Sequence, residues 1–154
     1  MIKVKSIAIG VAIVASVIVA TIAVSILNAS IPTWEERFAS KAGLPLRLVE
    51  EGTEQGAARG EILLQRGGVA LLKDVPVGTL GQAGDYCTNW DGSSTFTGEA
   101  EWSTDSDSAV TITTKDGDAW IGPYAPPFSD LAWYRFGLPL CGEDQPLWYR
   151  TAAD

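Results

Sequence analysis

Histidine is absent from all 154 residues. Without imidazole, the chain offers no Ser-His-Asp or Cys-His couple, no histidine metal site and no imidazole pH switch. Positive charge is scarce too, with 11 Lys and Arg against 19 Asp and Glu, a net of −8. A protein that neutralises phosphates needs a basic surface, so nucleic acid is not expected as a partner. Cysteine is confined to Cys87 and Cys141, which do not form a C-x-x-C redox motif. The sequence also lacks a G-x-S-x-G nucleophile elbow and a phosphate-cradling glycine loop after a strand. These gaps point away from an enzyme, and no cofactor is expected. The length allows one ordinary domain and not comfortably two.

Charge is also missing locally. Ser6 to Leu27 reads SIAIGVAIVASVIVATIAVSIL, 22 residues without one ionisable side chain. As a helix this run is about 33 Å long, matching a hydrocarbon core of about 30 Å. Its many Val and Ile residues are weak helix formers in water, but in lipid every backbone group needs an internal partner. Lys3 and Lys5 precede the run, and Glu35, Glu36 and Arg37 follow it. The expectation is a single-pass anchor in the cell membrane, with its N-terminus cytoplasmic and its C-terminal domain extracytoplasmic. A cleaved signal peptide is the rival, supported by small residues at Asn28-Ala29-Ser30. Its apolar stretch is ordinarily about 7–15 residues, shorter than this one. Ala8, Ala12, Ser16 and Ala20 recur every fourth residue, a spacing that lets two membrane helices approach closely.

The expected division is an anchor over residues 1–30, a short helix and linker over 31–59, and a β domain over 60–154. Pro32 stops a continuous helix, and Thr33-Trp34-Glu35-Glu36 has capping-box form. A helix to about Lys41 then ends at Gly43, with Trp34 and Phe38 on one face. Beyond residue 60 the apolar period becomes two. Ile62 and Leu64 share a face, Gly67-Gly68 turns the chain into Val69–Lys73, and Asp74 to Gly78 closes that strand. Phe96, Gly98, Ala100 and Trp102 alternate with polar residues, as do Val110 and Ile112. With Ala119–Ile121, Leu131–Phe136 and Leu147–Thr151 the count reaches about seven strands. The fold class is therefore all-β, an antiparallel meander closed as a sandwich or a barrel.

In an oxidising compartment, Cys87 and Cys141 are most simply joined as a disulfide. The stretch from Gly60-Glu-Ile-Leu-Leu through Val-Ala-Leu-Leu-Lys-Asp-Val-Pro, then Cys87, Thr97-Gly98-Glu-Ala-Glu-Trp102 and Val110-Thr-Ile112, has a familiar layout. It resembles small extracytoplasmic proteins of high-GC Gram-positive bacteria with a lipocalin-like or similar β-meander. The likeness covers roughly residues 60–114, and no functional residue carries over from it.

Carboxylates are the remaining catalytic candidates. Glu99 and Glu101 lie on one strand face, about 7 Å apart, opposite the apolar set, so both should point to water. Asp105, Asp107, Asp116 and Asp118 fall in two neighbouring turns and offer oxygen to calcium. The EF-hand pattern fails there for want of glycine at its sixth position, and turn chemistry is the stronger reading.

Aromatic side chains say more. Six Trp, four Tyr and four Phe all lie after position 33. Trp133-Tyr134 and Trp148-Tyr149 are adjacent pairs, so in each strand one ring faces in and the other out. With Trp120, Tyr124 and Phe128 they are the candidate binding aromatics. The expected function is a non-catalytic interaction module, an accessory subunit partnered by integral membrane proteins. A glycan- or small-ligand-binding module is the alternative, and a carboxylate-dependent hydrolase ranks last.

Overall fold

The computed structural model describes residues 31–52, 60–81, 86–106, 108–126 and 131–152. All the described helices and strands lie within one compact unit, Trp34–Asp154. A single helix, α1 (Trp34–Ala42), is followed by β1 (Leu46–Glu50), β2 (Glu61–Leu64), β3 (Val69–Pro76), β4 (Thr79–Leu80) and β5 (Thr88–Asn89). Then come β6 (Thr95–Ser103), β7 (Val110–Thr113), β8 (Asp118–Tyr124), β9 (Ala132–Leu138) and β10 (Leu147–Thr151). Among the described residues no helix is long and apolar enough to cross a membrane. The expected span over Ser6–Leu27 and its Ala8, Ala12, Ser16, Ala20 face lie outside them.

Eight strands close into an antiparallel barrel in the order β1-β10-β9-β8-β7-β6-β3-β2, and β4 pairs with β5 as a separate small sheet. The choice between sandwich and barrel thus resolves to a barrel, and the expected count of about seven strands is corrected to eight plus the hairpin. The additional barrel strand is β1, from the stretch read as linker. Leu48 pairs with Ile62 on one side and Thr151 on the other, so β1 is the stave that joins the two ends of the meander. Closure removes every free edge of this sheet.

The period-two reading locates the inner faces. Ile62, Leu64, Phe96, Ala100, Trp102 and Ile112 are all buried, and Glu99 and Glu101 on β6 are exposed. Gly67 and Gly68 hold φ of 80° and 76°, the left-handed pair that a tight hairpin between β2 and β3 requires. Strand β3 does not stop at Asp74. That residue takes φ 50°, the ladder slips between Leu72 and Val75, and pairing resumes at Val75 with Phe96. Asp tolerates this conformation, and a bulge sharpens the bend a small barrel needs.

Helix α1 closes one mouth of the barrel. Phe38 is fully buried, with its ring 5.6 Å from Trp102 and 5.7 Å from Trp133. Trp34 on the same helix stays exposed under the Arg37 guanidinium, 4.7 Å above its ring. Glu35 accepts a hydrogen bond from the Gly67 N–H at 2.9 Å, tying the helix to the β2–β3 turn. The Trp102 indole N–H donates to the Gln65 carbonyl at 2.8 Å, so this buried ring has its polar atom satisfied.

Tyr149, on β10, is the largest fully buried side chain, and its hydroxyl has no hydrogen-bond partner among the described residues. Burial, with the Glu50 carboxylate adding repulsion, pushes its phenol well above the ordinary value near 10. In the unfolded chain the phenol ionises near pH 10, while the folded chain holds it neutral. The stability it contributes is intact below pH 10 and is lost as pH rises beyond it. Denaturant midpoints should therefore fall above pH 10, and Tyr149→Phe should flatten that fall without lowering stability at neutral pH. An unchanged alkaline slope in the variant would contradict this assignment.

Candidate functional site

Strands β8, β9 and β10 bring three of the candidate aromatics, Trp120, Tyr124 and Trp148, together. On β8, Ala119 and Ile121 turn inward, which leaves Trp120, Gly122 and Tyr124 on the outer face. Register then aligns Gly122 with Gly137 on β9, and Gly137 with Trp148 on β10. The two glycines are what let the indoles lie down on the barrel wall. A Cβ on Gly122 would stand 3.1 Å from the Trp120 ring, and one on Gly137 would stand 3.3 Å from the Trp148 ring. Aromatic rings folded over strand glycines shield a backbone that has no side chain of its own.

Around these rings the chain forms a shallow groove of about 260 Å³, closed by Pro123, Pro139 and Pro146. Tyr124 meets Trp148 edge-on, with ring centroids 5.2 Å apart at 85°. The Arg135 guanidinium lies 4.0 Å above the Trp148 ring and 5.6 Å from that of Tyr124. Glu51 holds it there, accepting from Nε at 3.0 Å and pairing with Nη2 at 2.9 Å. The pair is part-exposed and contributes little stability of its own. Its effect is to fix the guanidinium over the indole, and with it the ring's orientation.

Trp120 is in turn backed by a short segment after β4. Tyr86 is 67% exposed, and its ring lies 5.3 Å from that of Trp120. Cys87 is joined to Cys141, with Cα atoms 5.2 Å apart, as the sequence led one to expect. Thr88, fully buried, makes the remaining connections. Its N–H donates to the Pro139 carbonyl at 2.8 Å, its carbonyl accepts from Cys141 N–H at 3.0 Å, and its Oγ1 accepts from Trp120 N–H at 3.1 Å. One threonine and one disulfide therefore anchor the strand that carries Trp120 and the turn that leads to Pro146.

Chemically the groove suits an apolar guest. Its polar side-chain atoms are the Tyr124 hydroxyl and the two indole N–H groups; the rest of the lining is ring, proline, alanine and glycine. Such a surface stacks and excludes water.

The other candidate residues lie elsewhere. Trp133 packs inward on Phe38 and Phe136, and Tyr149 is buried on the inner face of β10. Tyr134 is 65% exposed and does not line the groove. Phe128 and Asp107 lie outside the described residues. Asp105 and Asp116 are exposed, and among the described residues no group of three or more acidic or cysteine side chains is placed to hold a metal ion. A second hollow runs past Gly78, Asn89, Asp91 and Asp116. Asp91 is occupied there by its own turn, and hydrogen bonds from the Ser94 hydroxyl, the Ser94 N–H and the Ser93 N–H hold its carboxyl well below the usual carboxylate range.

Gly122, Gly137, Thr88 and Arg135 were not singled out in the sequence. A signal existed for the first: Trp120-x-Gly122 on a strand puts the ring beside a bare backbone. The chain matches no family model, no curated protein and no solved structure.

Proposed function

We propose that this chain is a membrane-anchored extracytoplasmic interaction module that engages a partner through the aromatic face of β8–β10, as an accessory subunit of a larger membrane complex. The observation that carries the proposal is the convergence of Trp120, Tyr124 and Trp148 on one groove, held by paired glycines on a closed barrel. Half-exposed aromatics of this kind are the anchors that dominate binding energy at protein interfaces. Support for the anchor comes from the uncharged 22-residue run behind two lysines. The paired cysteines fit an oxidising compartment. Glu99 and Glu101, the most tempting catalytic pair, are both exposed on β6.

A glycan-binding module is the second reading, favoured by the same rings. It draws less support, because sugar hydroxyls need more polar partners than Tyr124 and two indoles supply.

The topology is tested on intact cells. Protease added outside should remove the barrel while leaving an N-terminal tag protected, and the intact mass from membranes should include residues 1–30. Release of the chain without those residues would contradict the anchor. Mild-detergent purification tests the assembly. Ala12→Leu with Ser16→Leu should reduce recovery of an integral membrane partner while the barrel stays folded; unchanged recovery would remove that helix face from the proposal.

A further inference from the structure

Resting on that reading, we infer that the partner lays an acidic, extended segment across the outer wall of β10, β1, β2 and β3, with a carboxylate on Arg150 and an apolar side chain on Leu63 and Leu71. This wall adjoins the aromatic face, because Trp148 and Arg150 share the outward side of β10.

Charge selects the carboxylate. The protein is acidic overall, with a net of −8, yet this wall is not. Cross-strand register sets Arg135, Arg150, Val49, Glu61 and Lys73 side by side in one row from β9 to β3. Arg47 lies two residues from Val49 on the same side of β1. Glu61 pairs with Arg47 at 3.0 Å and with Lys73 at 3.8 Å, and Glu51 pairs with Arg135 at 2.9 Å. Arg150 is exposed, stands directly opposite Arg135, and has no ion-pair partner among the described residues. Like charges opposed across a ladder repel, and an anion between them relieves that cost. A guanidinium takes a carboxylate through two parallel hydrogen bonds, so a carboxylate is a fitting third anion for this row.

The leucines supply the apolar contact. Beside the charged row, Arg47, Leu63 and Leu71 pair in turn across β1, β2 and β3. Leu71 is 40% exposed, and the two leucines line a hollow of about 180 Å³ flanked by Arg47, Glu61 and Lys73. It has room for one aliphatic side chain.

Spacing joins the two contacts. Leu63 lies two strands over from Arg150 and two residues along, about 12 Å at the ordinary strand separation and rise. An extended segment covers that distance in about four residues. Every strand here is paired on both sides, so the segment cannot join the sheet and must cross it on the side chains. A lipid surface fits this path less well: a barrel wall is convex, and a flat bilayer meets it along a line.

The test uses the full chain in nanodiscs of zwitterionic lipid and three capped hexapeptides. The first is Glu-Glu-Ser-Thr-Ser-Leu, in which the second glutamate stands four residues from the leucine. The others replace both glutamates by glutamine or by lysine. Calorimetry reads affinity, and leucine methyl chemical shifts read the place. Net charge favours the lysine probe and the wall favours the glutamate probe, so their order decides. Expected are saturable binding in the order glutamate, glutamine, lysine, and shifts at Leu63 and Leu71. Arg150→Glu should weaken the glutamate probe about tenfold or more. Lys115→Glu, the same change in charge on the exposed β7–β8 turn, should leave it unchanged. Leu71→Thr should weaken the glutamate and glutamine probes alike. The inference is overturned if no probe saturates, if the lysine probe binds best, or if Arg150→Glu acts no more strongly than Lys115→Glu. Arg150-dependent shifts in phosphatidylglycerol nanodiscs, without peptide binding, assign the wall to lipid and also overturn it. Recovery of a membrane partner separates the two proposals. Where that recovery depends on Trp148 but the glutamate probe does not bind, only the acidic segment is wrong; where it does not depend on Trp148, the aromatic-face reading fails and the probes still decide the wall.

Discussion

Reducing the Cys87–Cys141 bridge is expected to lower unfolding stability by about 4 kcal/mol, the chain-entropy value for so long a loop. The two cysteines are 54 residues apart in sequence, and the loop between them contains β5 and four barrel strands, β6 to β9. Freed from the bridge, the unfolded chain regains the conformations this loop had excluded. The effect reaches the groove as well. Cys87 lies between Tyr86, which stacks on Trp120, and Thr88, which bonds Pro139, Cys141 and Trp120. Urea melts of Cys87→Ala with Cys141→Ala should show the stability loss, and Trp120 fluorescence should shift in the still-folded variant. A loss below about 1 kcal/mol with an unshifted spectrum would mean the bridge neither closes the loop nor holds Trp120 in place.

Phe38→Ala should cost about 3–5 kcal/mol, the usual range for emptying a large aromatic site. The ring is fully buried against two indoles and is the main insertion of α1 into the barrel mouth. Nothing nearby is positioned to fill the hole, because Trp102 is fixed by its bond to Gln65 and Trp133 by Phe136. The variant should lose α1 protection in hydrogen exchange before the barrel strands lose theirs. Equal loss in helix and barrel would show that the helix is no separate lid. Destabilisation under about 1 kcal/mol would show that the mouth repacks.

Much of the barrel was readable because half-buried strands carry a period of two. Strand β6, with Phe96, Ala100 and Trp102 inward and Glu99 and Glu101 outward, is legible one residue at a time. Strand β1 was not. Leu46 and Leu48 are only two inward residues, placed between a helix and a glycine-containing stretch, and their role depends on partners more than a dozen residues away at the nearest. β4 and β5 are two residues each, below the length at which alternation carries any signal. Strand β5 is placed by the bonds of Thr88 to Pro139 and Cys141, and β4 by its pairing with β5.

The groove was legible by composition and hidden in arrangement. Trp120 and Trp148 stood out as rings on strands, and Tyr124 as a ring on a proline-held loop beyond Ile121. That they share a face depends on the cross-strand register of Gly122 with Gly137, a non-local fact. Trp133 and Tyr149 show the same limit from the other side. Each belongs to an adjacent aromatic pair with one ring in and one out, and only the closed barrel shows which is which.

The central claim is that the β8–β10 aromatic face holds a membrane partner. Tagged wild type, Trp148→Ala and Tyr134→Ala should be purified side by side from native membranes in mild detergent, with co-purifying membrane proteins quantified by mass spectrometry. Tyr134 is the control, an exposed aromatic on β9 that does not line the groove. The expected result is one integral membrane protein recovered with wild type and Tyr134→Ala and reduced about tenfold or more by Trp148→Ala, with the barrel intact in all three. Equal recovery with Trp148→Ala, or equal losses in both variants, would contradict the claim.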